Sequence, residues 1–177
     1  MLKKILVLLL LTTSMVSSQE WIQDKEETSI SFKIKNFGLT VDGGFKTIDI
    51  KTNLDTKDIS NSYVNAAIIV NSIFTGIEVR DKHLLGKDYF DALNHKEIVL
   101  KSSKLTKDMN GNIILFAELS IKGITKKVEI PLEVFEDDSR LTLKALILLN
   151  RKNFDIGNRS LILSNNVKIQ VEYSTTK

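Results

Sequence analysis

Arg80, Asp81 and His83 place a cation, a carboxylate and an imidazole within four residues. An imidazole oriented by a carboxylate is a common general base. On a helix, however, Arg80 and Asp81 point about 100° apart, and His83 shares its face with Arg80. A neighbouring cation discourages protonation of the imidazole rather than orienting it as a base. No Ser or Cys nucleophile motif accompanies the group. These residues therefore read first as structural, fixing a helix to the rest of the fold, and second as contacts to a ligand head group. No catalytic residue is assigned, and binding rather than turnover is expected.

His83 and His95 are the only histidines. Their spacing fits no local metal motif, and Asp88 and Asp91 read as ordinary loop carboxylates. The absence of Cys removes thiol catalysis, Cys-based zinc sites and iron–sulfur clusters from consideration. Neither a metal nor a cofactor is expected. Arg151 differs from the others. Its guanidinium suits a side-chain carboxylate that closes one end of the fold, or the carboxylate or pyrophosphate head of a ligand. The salt bridge is the preferred reading and the head-group contact the second.

The elements that position these residues follow from the rest of the chain. Lys3 and Lys4 precede an unbroken apolar run over residues 5–11, and a small, polar stretch over 12–18 follows. Val16 and Ser18 stand like the −3 and −1 residues of a cleavage site. The run is shorter than the ~20 residues that span a bilayer. Residues 1–18 are thus expected to be a signal peptide, cleaved near Ser18–Gln19, with residues 19–177 forming one domain in the periplasm or outside the cell. No Cys follows the apolar run, so a lipid-anchored form is not expected. The formal charge of +3 counts Lys3 and Lys4, and both signs are interspersed along the remainder. A clustered basic face, the mark of nucleic-acid binding, is missing.

Period-two alternation dominates the chain. Ile30, Phe32 and Ile34 alternate with polar neighbours, and Leu39, Val41 and Phe45 keep to odd positions. Ile48, Ile50 and Leu54 fall on even ones. This change of parity predicts a bulge or sharp bend at Gly43–Gly44 and Lys46–Thr47. Further strands are predicted over residues 63–70, 97–105, 112–122, 125–136, 140–149 and 166–173, with a short polar tail after Tyr173. Val128, Ile130, Leu132 and Val134 form one apolar face; Leu141, Leu143, Ala145, Ile147 and Leu149 form another. Asn110–Gly111, Lys122–Gly123 and Asp137–Asp138 mark turns. The interruption lies at residues 75–91. Thr75 and Glu78 match a capping box, and residues 77–85 can form a short helix ended by Gly86. Many short strands with one apolar face each indicate a barrel or a sandwich, and the pattern does not separate the two.

Over most of its length the chain resembles the YceI family. The resemblance rests on Trp21 and Asp24, residues 30–38, Gly44–Phe45, and Ser72, Thr75, Arg80, Asp81, His83 and Leu84. It continues through Asp88, Phe90 and Asp91, then Ser102. Leu119, Gly123, Thr125 and Val128 match a Leu-Thr-x-x-Gly-x-Thr-x-x-Val hairpin with Ser120 in place of Thr, and Arg151, Phe154 and Ile156 match the segment after the penultimate strand. Lys96, Leu100, Ala117 and Asp155 depart from the family's usual Pro, Phe, Gly and Gly. The resemblance implies an all-β fold: an antiparallel, lipocalin-like barrel of about eight strands with the short helical insertion over residues 75–91. It also implies a pore that binds a polyisoprenoid, a quinone-like molecule or another long-chain lipid. Phe32, Ile34, Phe45, Ile130, Leu132, Leu143 and Ile147 are the residues expected to line that pore, with Arg151 at a head group. The expected partner is such an apolar lipid, with transient membrane contact. Two rival readings stand beside the carrier: an enzyme or redox accessory acting on a bound quinone-like molecule, and a secreted, stress-related protein with a filled core.

Overall fold

The computed structural model of the chain describes residues 21–137 and 139–176. The proposed leader and its cleavage site lie outside the described residues. In chain order the elements are β1 (Ile22–Gln23), β2 (Ser29–Asn36), β3 (Leu39–Phe45), β4 (Ile48–Thr52), β5 (Val64–Ile69) and β6 (Ile73–Phe74). They are followed by α1 (Glu78–Leu84), β7 (Glu97–Lys107), β8 (Ile113–Ile121), β9 (Ile124–Glu136), β10 (Leu141–Asn150) and β11 (Leu163–Thr176).

All pairings are antiparallel, in the order β4-β5-β7-β8-β9-β10-β11-β2-β3-β6. β3 and β4 are two halves of one bent stave, as are β5 and β6, because β4 pairs with β5 and β3 with β6. Eleven strands, less two such joins and the two-residue β1, leave the eight staves expected. The seam is tied by Lys46 and Thr47, whose N–H groups donate to the Ser72 carbonyl and to Ser72 Oγ. The change of parity is resolved there, at Lys46–Thr47. Across Gly43–Gly44 the β2–β3 register runs without a shift, so no bulge occurs at the glycines. Gly43 has a different use. It stands directly opposite Phe32, and a Cβ on it would run into the Phe32 ring.

The inward faces are those the alternation marks. Along β8, Ile113, Leu115, Ala117, Leu119 and Ile121 are buried; along β9 and β10, Ile130, Leu132, Leu141 and Leu143 are buried as well. The outward positions of the same strands carry Glu118, Lys127, Glu129, Glu133 and Lys144. A barrel that spans a membrane turns apolar residues outward and keeps a polar lumen; the polarity here is the reverse. Among the described residues no helix is long and apolar enough to cross a membrane.

Two local expectations are corrected. The helix starts after Ile77, which caps it without a side-chain bond. Thr75 lies two residues too early for a capping box, and its hydroxyl instead accepts from Arg80 Nε and donates to Asp81 Oδ1. The polar tail is also not a tail. β11 runs on to Thr176, Ser174 is 3% exposed and Thr175 is fully buried. Gln23 and Ile22 pair with Thr175 and Thr176, so a strand from the other end of the chain covers these short polar side chains.

Candidate functional site

The barrel has two unlike ends. At the first, Leu54, Leu105, Leu141 and Tyr173 pack into a continuous core against which Trp21 and Ile59 lie. Thr175 Oγ1 accepts from the Leu141 N–H and donates to the Leu141 carbonyl, satisfying both groups in the dry interior. Gln23 spans to the edge of β4, donating to the Ile48 carbonyl and accepting from the Ile50 N–H. Side chains fill this end.

Toward the second end β9 and β10 part, being paired only from Leu141 with Glu136 to Lys144 with Glu133, and segments outside the sheet complete the wall. The 3-10 turn Arg151–Phe154 follows β10, and α1 with the residues after it lies across the opening. Phe45 meets Phe32 at 6.1 Å between ring centres and Phe90 at 6.2 Å, which ties this insertion to the barrel wall. His83 packs edge-on to Tyr89 at 4.9 Å. The Gly157 N–H donates to the Asp88 carbonyl at 2.6 Å, joining the loop before β11 to the insertion.

Between the two ends lies a cavity of about 700 Å³, well within the ~300–1,000 Å³ of small-molecule sites. Every residue assigned to the pore from sequence reaches it: Phe32, Ile34, Phe45, Ile130, Leu132, Leu143, Ile147 and Arg151. Sequence reasoning omitted others of equal standing, among them Ala66, Leu100, Leu119, Val171 and Tyr173, although their strand parity marks them. The lining is graded. Near Tyr173 it is formed by Ile50, Val64, Leu115 and Leu143; at the other end Asn36, Thr75, Arg80, His83, Asp88, Arg159 and Ser160 bring polar groups. Burial holds the Tyr173 phenol neutral, its pKa pushed up to about 12, with the Asp49 carboxylate adding to the effect.

Arg151 closes its end of the barrel, but not through a salt bridge. It is 3% exposed, and it donates only to main-chain carbonyls. Nε reaches Ser164 at 2.9 Å, Nη1 reaches Ile156, Gly157 and Asn158 at 2.7, 3.1 and 3.2 Å, and Nη2 reaches Leu163 at 3.4 Å. The loop before β11 has folded around the guanidinium, which sequence spacing cannot reveal. Carbonyl dipoles satisfy the N–H groups without cancelling the charge. Arg80 is likewise held by the hydroxyl and the carbonyl of Thr75. The chain has four arginines. Among the described residues, the three that line the cavity, Arg80, Arg151 and Arg159, form no ion pair. The fourth, Arg140, lies outside and pairs with Asp24 and Glu27 at 4.0 and 3.3 Å. Arg159 carries no signal in the sequence. Among the described residues no cluster of His, Asp and Glu is fit to hold a metal ion.

Residues 21–175 match the YceI-like domain family. A UPF0312 protein of Vibrio parahaemolyticus is 32% identical over 106 residues, which are 59% of this chain and 56% of that one; the match thus spans little more than half of this relative. The crystal structure of BcnA from Burkholderia cenocepacia superposes with a TM-score of 0.83 at 22% identity, covering 87% of this chain and 99% of that one. A polyisoprenoid binding domain from Saccharophagus degradans, implicated in plant cell wall breakdown, superposes with a TM-score of 0.70 at 13% identity over 89% and 98% of the two chains. The chain belongs to the YceI-like family.

Proposed function

We propose that this YceI-like protein is an exported carrier that holds one long-chain amphiphile, a polyisoprenoid, a quinone-like molecule or another such lipid, inside its barrel. The observation that carries the reading is the graded cavity. Its deep part, near Tyr173, is walled mainly by Ile, Leu and Val, and Arg80, His83, Asp88, Arg151 and Arg159 gather at the helix end. An amphiphile enters such a site tail first, leaving its head beside Arg80, Arg151 and Arg159. Three guanidinium groups without carboxylate partners favour an anionic head, a carboxylate or a phosphate. The apolar run after Lys3 and Lys4 supports export to the periplasm.

Energetics favour exchange over trapping. Burying an isoprene unit contributes up to ~4 kcal/mol at ~0.8 kcal/mol per methylene-sized group, measured from water. A bilayer offers the same chain a nearly equal apolar solvent, so the net cost of moving it between membrane and pocket is small. The reading is one of binding and release without bond breaking. Mass spectrometry of organic extracts from the native, exported protein tests it. A single lipid class at near one molecule per chain is the expected result; extracts without lipid, from protein that also fails to take up long-chain lipids, would refute it.

A further inference from the structure

The β2–β3 hairpin turns through Phe37 and Gly38, with φ of 50° and 77° between the paired residues Asn36 and Leu39. This is the two-residue turn that needs positive φ at both central positions and favours Asn, Asp or Gly at the first. The β8–β9 hairpin makes the same turn through Lys122 and Gly123, with φ of 51° and 75°. Lys122 has a compensation: its Nζ donates to the Asp155 carbonyl at 2.7 Å. Phe37 has none. The residue is 72% exposed, its backbone N–H donates to the Ile162 carbonyl, and among the described residues its side chain meets no such partner. A strained backbone bearing an exposed aromatic ring loses twice in water, which points to a use elsewhere.

The surroundings of Phe37 indicate what that use is. Leu39 and Leu161 are 73% and 103% exposed, and Ile162 belongs both to this rim and to the cavity lining. Leu39 stands on the same strand face as Val41, which lines the cavity, so the apolar wall continues outward past the mouth. On the chain segments that carry it the charge balance is positive. Residues 157–171 contain Arg159 and Lys168 and no carboxylate. In residues 33–42 the one carboxylate, Asp42, is paired with Lys33 at 3.2 Å, leaving Lys35. We propose that Phe37, Leu39, Leu161 and Ile162 form a docking rim that inserts into the surface of an anionic phospholipid bilayer, setting the cavity mouth against the membrane while a lipid crosses. The rim meets the acyl boundary and Lys35, Arg159 and Lys168 meet the head groups, which is how peripheral proteins hold to anionic membranes.

This proposal rests on the carrier reading but is tested apart from it. The chain from Gln19 onward, which contains every element of the barrel, is floated with phosphatidylglycerol–phosphatidylethanolamine vesicles and with phosphatidylcholine vesicles. Phe37→Asn suits the turn and should melt at or above the parental temperature. It should lower partitioning onto the anionic vesicles by on the order of tenfold, the effect of losing one buried aromatic side chain. Phe135→Asn, at an exposed aromatic position near the filled end, should leave partitioning unchanged. Failure of the parent to float with anionic vesicles, or equal flotation of Phe37→Asn, would overturn the docking rim. Parental dimers that dissociate in Phe37→Asn, without flotation, would overturn it too and assign the face to a second copy of the chain. A fluorescent long-chain fatty acid added from ethanol, without vesicles, reads the carrier function separately. Its retention by Phe37→Asn is expected, and its exclusion by the parent would overturn the carrier reading while flotation still judged the rim.

Discussion

At the Tyr173 end of this barrel, side chains from β7, β8, β10 and β11 pack together with Leu54, and Gln23 and Thr175 bond to the main chains of Ile48, Ile50 and Leu141. At the Arg151 end the wall is completed by loops, and these are held by polar bonds: Arg151 to five carbonyls, Lys152 Nζ to the Gly157 carbonyl, and Lys122 Nζ to the Asp155 carbonyl. Packing closes one end and hydrogen bonds frame the other. Packing demands that space be filled, whereas a ring of bonds at the rim leaves the interior free. That is how one sheet can supply both a stable core and an empty pocket.

The largest effect separating the ends should come from Arg151→Met. The methionine keeps the apolar stem but strips the loop carbonyls of their shared donor, at an expected cost of about 3–5 kcal/mol by chemical denaturation. Protection of the amides of residues 156–164 from hydrogen exchange should fall before that of β8. Next, Leu54→Ala in the filled end should destabilise by about 2–5 kcal/mol, since it opens a new void. Ile147→Ala on the cavity wall should lose only about 1 kcal/mol, because the space beside it is already open. Equal losses from both changes would erase the distinction between the ends.

Alkaline titration probes the floor of the pocket. The Tyr173 phenol is protonated in the fold up to about pH 12, while in the unfolded chain it ionises near pH 10. The unfolded state therefore holds fewer protons between these values, and stability falls as pH rises through them, by about 2–3 kcal/mol in all. Tyr173→Phe should remove that part of the slope, seen as the difference between the two proteins' unfolding free energies from pH 9 to 12. The smallest effect is expected at Ser174, whose buried hydroxyl finds no hydrogen-bond partner among the described residues. Ser174→Ala should leave the melting temperature unchanged or raise it slightly, because no bond is lost and a buried polar atom is removed.

Much of the barrel was legible because each strand buries one face only. The alternation in β8, β9 and β10 states which residues look inward, and the parity change between Phe45 and Ile48 announces the bend in the seam. What escaped was decided by tertiary contacts. Ser174 and Thr175 look like a polar terminus until β1, some 150 residues earlier, pairs with Thr175 and Thr176, and the Asp24 N–H donates to the Ser174 carbonyl. Arg151 suggested a carboxylate, yet its partners are carbonyls, which every residue possesses and no sequence pattern marks. Asp155 departs from the family's usual Gly and occupies a left-handed backbone position, φ 52°, where glycine is favoured. Its carboxylate lies 3.7 Å from Lys122 and 3.9 Å from Lys152. The emptiness of the pore was invisible, since Leu, Ile and Phe on inward faces read alike whether they touch each other or a ligand.

The central claim is that the apolar wall receives a lipid tail rather than filling itself, and Leu143→Phe tests it most directly. Leu143 lies at the deep end of the cavity, opposite Tyr173 in the β10–β11 pair. In a filled core the larger ring would overpack by about 1–3 kcal/mol; in a pore it takes up spare volume. Dissociation constants for a homologous series of single-chain lipids should fall with chain length to a limit in the parent. In Leu143→Phe that limit should shift to shorter chains while melting stays near native. A marked drop in melting temperature, together with a parent that binds none of the series, would contradict the account and leave a barrel whose core is simply packed.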